Sequence, residues 1–328
     1  MNRQFRLKIV FVVTALILIL AIIYSGLRIL ESTVFYGQEK EFRVKTKTIV
    51  RDGVRYYPRQ DINVILVMGI NQPGPAAPEE PNHGNSADML ALLVFDEKAG
   101  EYTVLNLNRD TMLDMPELNE KGVEIGSVYA QLGYAHTFGT GVEDSCENTR
   151  KAVSNFLGGV TIDYYISMNI DAVSLLNDAV GGVTVNVTDD FSRVDASIPM
   201  GQVTLQGRQA QSYVQGRWYV GDELNLSRID RQKQYMDGYI AAFRQTVSNS
   251  STDFVLSTYN SVAPYLISDL PISTLVGMVE RYIDYPQKKV ISLEGENRIV
   301  NNMCEFYADE KKLEDLRLEL FYAPKGSE

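Results

Sequence analysis

Two cysteines, Cys146 and Cys304, and two histidines, His83 and His136, are all that 328 residues offer to thiolate or imidazole chemistry. Neither a CxxC nor an HExxH spacing occurs, which excludes the common zinc arrangements. A histidine-based serine hydrolase would have to use one of those two imidazoles, and neither stands in a recognisable motif. The two thiols can be free and buried or bonded to each other, and their spacing does not decide between these. Positive charge is the second scarcity. Against 42 Asp+Glu there are 31 Lys+Arg, a formal net charge of −11. Such a chain lacks the basic face that duplex nucleic acid requires, so no nucleic-acid partner is expected. Any anionic ligand must be held by a local arginine cluster. No repeat of 20–50 residues is found.

What is present is a core and a hydrophobic leader. Hydrophobic residues make up 45% and charged residues 22%, a composition that packs rather than stays disordered. The length suits one large domain or two ordinary ones. Arg3, Arg6 and Lys8 precede residues 9–27, "IVFVVTALILILAIIYSGL", an uncharged run long enough to span about 30 Å of hydrocarbon as a helix. The end of this run, Tyr24-Ser25-Gly26 followed by Leu27-Arg28-Ile29, is a poor small-residue cleavage site, so the run reads as an uncleaved anchor rather than a signal peptide. Cations before the span keep the N-terminus in the cytoplasm. The expected organisation is a cytoplasmic tail (1–8), a transmembrane helix (9–30), a stalk or linker (31–57) and an extracytoplasmic domain (58–328). The protein would then be single-pass in the cell membrane with its C-terminal domain outside. Removing the three leading cations from the net −11 leaves −14 on the rest.

Strands and helices alternate along the exported part. Ile62–Ile70 is a near-continuous apolar run, as expected of a strand covered on both faces. A loop with four prolines follows, at 71–88. Met89–Asp96 and Tyr102–Asn108 read as a hairpin. Cys146–Gly159 reads as a helix with a glycine stop. Asp163–Asn169 reads as a strand, "IDAVSLLNDAVGG" as a helix ending in paired glycines, and "VTVNV" as a strand. Leu226–Val247 reads as a long amphipathic helix offering Ile229, Tyr235, Met236, Tyr239, Ile240 and Phe243 to one face. A further helix is expected near Ile272–Ile283 and a strand at Lys288–Leu293. The class is α/β with a central sheet.

Two places break the local rules. In "VLNLNRDTMLDMP", Arg109 and Asp110 follow directly on a buried strand, at the end of a sheet where ligands gather in open α/β folds. If the hairpin pairs as expected, Asp88 meets Arg109 at that edge. The two can form an ordinary ion pair, or a metal and phosphate site in which the carboxylate holds Mg²⁺ and the guanidinium forks onto phosphate. The second place is "YVQGRWYVGDELNLSRIDRQKQ". Arg228, Arg231 and Gln232 open the long helix and Arg217 lies shortly before. Cations at a helix N-terminus oppose the macrodipole, whereas a bound anion there is favoured. A solvated face paired with Asp222, Glu223 and Asp230 is the alternative.

The order of these segments resembles the LytR-CpsA-Psr (LCP) family of cell-envelope proteins of Gram-positive bacteria. A single membrane helix is followed by "VILVMGI", "SADMLALLVFD", "LNLNRDT", "VYAQLGY", "IDYYISMN", "LLNDAVGGVTVNV", "LQGRQAQSYVQGR" and "SRIDRQ". The likeness covers about residues 60–245 well and the tail after 250 more loosely. It implies a three-layer α-β-α sandwich with a central mixed sheet and a hydrophobic pocket for a lipid tail. It also implies a membrane-anchored phosphotransferase that moves a glycopolymer from a polyprenyl-pyrophosphate carrier onto peptidoglycan or a related wall acceptor. In that pattern Asp88 is a Mg²⁺ ligand, and Asp88, Arg109 and Arg217 are the catalytic positions. Arg109, Arg217, Arg228, Arg231 and Gln232 surround the pyrophosphate. Three positions depart from the pattern. Asn71 stands where a second metal-binding aspartate is usual, Asn85 lies where an arginine is usual, and Gln215 replaces the first arginine of an Arg-x-Arg pair. These changes thin the Mg²⁺ site and remove positive charge. The rival readings are a catalytically weak protein that binds polyprenyl-phosphate lipids in envelope assembly or regulation, and a transcriptional attenuator, against which the exported acidic domain speaks.

Overall fold

The computed structural model describes residues 48–76, 85–221, 225–249, 258, 261–271, 274, 278, 281–282 and 285–324. The expected membrane helix at 9–30, the stalk up to residue 47 and most of the segment Ile272–Ile283 lie outside the described residues. In chain order the strands are β1 Ile49–Arg51, β2 Val54–Pro58, β3 Ile62–Ile70, β4 Ala87–Asp96, β5 Glu101–Leu107, β6 Met112–Leu118, β7 Glu124–Gln131, β8 Tyr164–Asn169, β9 Val183–Val187, β10 Gly201–Leu205, β11 Leu266–Ser268, β12 Gln287–Ser292, β13 Gly295–Val300, β14 Met303–Ala308 and β15 Tyr322–Pro324. The helices are α1 Glu143–Phe156, α2 Asp171–Ala179, α3 Arg208–Gln215, α4 Asn225–Asn249 and α5 Glu310–Phe321, with a 3-10 turn at Leu132–Thr137. The chain divides into two compact units, one built from 70–78 and 168–285, the other from 33–69, 79–167 and 286–328.

In the second of these units lies the stretch β8-β3-β4-β5-β12 of the central sheet. The sheet is mixed: β4 and β5 run antiparallel and β12 lies parallel to β5. Val64–Met68 on β3 are all buried, as the unbroken apolar run requires, and Leu92 and Leu105 are fully enclosed beside them. Helix α1 covers part of this core with Cys146, Ala152 and Val153. Cys146 and Cys304 are both buried thiols, not joined to each other by a disulfide. Part of the stretch expected as a stalk is folded. Strands β1 and β2 form a hairpin, and β15 from the chain's other end adds to β2 through Tyr322–Pro58 and Pro324–Tyr56 pairs. Pairing partners more than 260 residues apart leave no local signal, so a polar sequence there looked like a linker.

The other unit has its own core. Strands β9 and β10 pair antiparallel, and their inward residues Val183, Val185, Val187 and Leu205 join Phe191, Tyr213, Tyr239 and Phe243 in one cluster. Helix α4 contributes Tyr235, Tyr239 and Phe243 at helical spacing, stacked in succession. Met236, expected on the same face, is exposed instead. The side chains of Ile229 and Ile240 lie outside the described part. Among the described residues no helix is long and apolar enough to cross a membrane.

Candidate functional site

The hairpin places its two charged residues face to face. Its register pairs Leu90 with Leu107, and continuing it sets Asp88 opposite Arg109. Strand β5 stops because Asn108 turns the chain: its side-chain oxygen accepts from the Asp110 N–H at 3.0 Å, and its carbonyl accepts from the Thr111 N–H and hydroxyl. Arg109 Nη1 donates to Asp88 Oδ1, which also accepts from Ser86 Oγ at 3.0 Å. The side chains retain 12% and 15% exposure, so the pair is shielded but reachable. Asp110 is fully buried, 3.7 Å from Arg109 Nε. A carboxylate behind the guanidinium and one in front of it fix the direction in which Arg109 points.

The 3-10 turn Leu132–Thr137 clamps this corner. Gly133 N–H donates to the Arg109 carbonyl at 2.7 Å and Leu132 N–H to that of Thr111 at 2.8 Å. A Cβ at Gly133 would lie 2.9 Å from both Arg109 Nε and the Ala87 carbonyl, so only glycine lets the turn approach this closely. The Tyr134 ring lies 5.8 Å from the Arg109 guanidinium. His136 Nδ1 lies 3.2 Å from the Asn85 carbonyl and its Nε2 lies 3.6 Å from Cys146 Sγ. Burial pushes the His136 pKa down to about 4, so the ring is neutral near pH 7. The Nδ1–H tautomer donates to Asn85 and leaves Nε2 to accept from the thiol. This turn was not read as a site element from the sequence. Its one signal is the glycine within "QLGYAH".

The arginines of the other unit are held differently. Helix α3 ends at Gln215, leaving its last carbonyls without helical donors. Arg231 Nη2 donates to the Gly216 carbonyl and Gln232 Nε2 to that of Val214 at 3.1 Å. Arg231 also pairs with Asp189 at 2.7 Å, and its guanidinium lies 5.6 Å from the Phe191 ring. Arg231 near the start of α4 therefore does have a local structural reason: with Gln232, it caps the neighbouring helix. Arg228 is 2% exposed. Arg217 lies outside that buried set, its guanidinium 5.2 Å from the Trp218 ring. Gln215 Nε2 donates to Asn71 Oδ1 at 2.8 Å. Also in this unit, a cleft of about 540 Å³ is lined by Thr184, Val185, Asn186, Gln234 and Asp237.

Residues 31–321 match the sequence profile of the LytR_cpsA_psr family. The chain belongs to the LytR_cpsA_psr family. Over 266 residues it is 27% identical to the polyisoprenyl-teichoic acid–peptidoglycan teichoic acid transferase TagU of Halalkalibacterium halodurans, across 80% of this chain and 79% of that one. The solved structure of Bacillus subtilis TagV aligns with a TM-score of 0.57 at 24% identity, across 80% of this chain and 96% of that one. TagT bound to LIIa-WTA aligns with a TM-score of 0.56 at 21% identity, across 80% and 90%. The mixed α/β fold with a central mixed sheet is therefore the LytR_cpsA_psr fold. Asn71 and Gln215, two of the departures expected above, are thus in contact with each other through an amide–amide hydrogen bond.

Asp88 is one carboxylate at the edge of a sheet, beside a cation suited to phosphate. Mg²⁺ is commonly held by one or two carboxylates together with substrate phosphates, and Asp88 fits that donor set. Among the described residues no group of three or more His, Cys, Asp or Glu side chains converges on a point.

Proposed function

We propose that this protein is a membrane-anchored phosphotransferase that moves a glycopolymer from a polyprenyl-pyrophosphate carrier onto peptidoglycan or a related wall acceptor. The observation that carries the reading is the Asp88–Arg109 contact at the end of the β4–β5 hairpin, in a chain whose relatives include teichoic acid transferases. The ion pair is a ligand-free arrangement. A pyrophosphate competes for Arg109 with a matching fork, and Asp88 is then released towards a cation. Bound Mg²⁺ would supply charge neutralisation between the phosphates. Arg109 orients the phosphoryl group, Asp110 and the Leu132–Thr137 turn keep Arg109 pointed at it, and Arg217 contributes a second positive charge. A wall-sugar hydroxyl attacks the phosphorus that bears the glycopolymer. The new P–O bond is a phosphodiester, the pyrophosphate P–O bond breaks, and polyprenyl phosphate leaves as the hydroxyl gives up its proton. Positioning and charge stabilisation are the main contributions a protein makes to such a transfer. Arg3, Arg6 and Lys8 before an uncharged span support anchoring with the C-terminal domain outside.

The neutral Asn71–Gln215 pair favours a second reading, a lipid-binding member with little transferase activity. The two are separated by incubating the full-length protein with a synthetic polyprenyl-pyrophosphate-linked glycan and a peptidoglycan acceptor, with and without Mg²⁺. Release of polyprenyl phosphate together with a glycan–peptidoglycan product supports transfer. Lipid binding with no release under any condition leaves the second reading standing.

A further inference from the structure

Trp218 is the only tryptophan of the chain, and it is 52% exposed. Tyr219 beside it is 54% exposed. A large aromatic pair left in water is not accounted for by the core, since Val220, the next residue, is fully buried. The backbone is bent to produce this. The turn from Arg217 to Val220 closes with a 3.3 Å hydrogen bond, and Tyr219 has φ of 65°, a conformation that normally selects Gly or Asn. An aromatic residue held in the left-handed region by a buried anchor is strained, and such strain concentrates at ligand clamps. Two guanidiniums brace the rings. Arg193 lies 3.8 Å from the centre of the Tyr219 ring, and Arg217 lies 5.2 Å from that of Trp218. In a chain of net charge −11, two guanidiniums stack on one exposed aromatic turn, with the Asp189 carboxylate beside Gly221 next to it.

We propose that the Trp218–Tyr219 turn, braced by Arg193 and Arg217, is a glycan subsite that stacks a sugar ring of the anionic donor polymer. The apolar C–H face of a pyranose covers an aromatic ring, removing both from water, while the guanidiniums attract the phosphates that join the sugars. Charge complementarity selects the anionic donor over the neutral glycan backbone of the acceptor. The assignment rests on the transferase reading, because it places the turn next in sequence to Arg217 of the phosphate-binding set.

The lone tryptophan supplies the readout. Trp218 fluorescence of the full-length protein is titrated with a lipid-free sugar-phosphate oligomer, with chitotetraose and with inorganic phosphate. The expected result is a saturable emission change with the oligomer, at least tenfold weaker binding of chitotetraose, and no change with phosphate alone. By calorimetry, Trp218→Ala weakens oligomer binding about tenfold, Trp218→Phe recovers most of it, and Arg193→Ala weakens it about threefold. An equal response to phosphate alone overturns the stacking, chitotetraose binding as well as the oligomer overturns the donor assignment, and no response to any probe overturns the subsite. Because no transfer is needed for the signal, the two readings fail separately. Transfer without a Trp218 response removes the subsite only, and a Trp218 response without transfer removes the transferase only.

Discussion

Arg109 and Arg231 are both shielded cations paired with an aspartate, yet they are committed to different degrees. Arg231 is tied to the Gly216 carbonyl as well as to Asp189, and closes the end of α3. Its contacts are within the protein and complete a helix terminus. Arg109 spends its head group on Asp88 at the mouth of a hairpin, with Asp110 behind it. A backbone carbonyl cannot be exchanged without exposing a helix end, whereas a half-shielded carboxylate can trade its partner for a phosphate and a cation. The lesson is that an arginine's availability is set by what it would abandon, and not by its burial alone.

The largest separation between the two should appear on substitution. Arg109→Ala removes a charge-assisted fork worth about 3 kcal/mol and should weaken polyprenyl-pyrophosphate binding roughly a hundredfold, measured by calorimetry. The corner holding Arg109 should also be acid-sensitive through His136. Its pKa is about 4 in the fold against an ordinary value of 6.5, so its contribution is fully present above pH 6.5. The contribution is lost as pH falls from 6.5 to 4, by about 3 kcal/mol. Denaturant unfolding across that window should show this slope in the wild type and lack it in His136→Asn, which keeps a donor for Asn85. Arg231→Ala should behave in the opposite way to Arg109→Ala. With Asp189 partly exposed, the loss is about 2 kcal/mol of stability, seen as a lower denaturation midpoint before any change in lipid affinity. Smallest is the coupled amide pair. Asn71→Asp with Gln215→Arg should raise transfer about tenfold, near 1.4 kcal/mol, while either change alone leaves an unmatched charge and gains less.

The residues that meet locally were legible in the sequence. Asp88 and Arg109 are joined by one short hairpin, so reading Met89–Asp96 and Tyr102–Asn108 as paired strands sufficed to bring them together. β3, β9 and the long helix α4 likewise announced themselves through period and glycine stops. What was hidden depends on distant partners or on exposed strands. β7 is exposed along most of its length and β6 carries Pro116, so only the short Leu113–Met115 alternation marks the β6–β7 hairpin. The β13–β14 hairpin turns on Asn301 and Asn302, both at positive φ, but β13 is largely exposed and adds no apolar face to mark it. The helix-capping role of Arg231 needed the end of α3 as its target, and α3 was not anticipated as a helix.

The exchange at Asp88 is the centre of the account, and binding of a polyprenyl-pyrophosphate lipid to Asp88→Asn tests it most directly. If Asp88 is the ligand-free counter-ion of Arg109, the substitution removes a competitor. Affinity without Mg²⁺ should then equal or exceed that of the wild type, while polyprenyl phosphate release is lost. If Asp88→Asn instead weakens binding as much as Arg109→Ala does, the aspartate is needed to build the arginine's position, and the exchange does not occur.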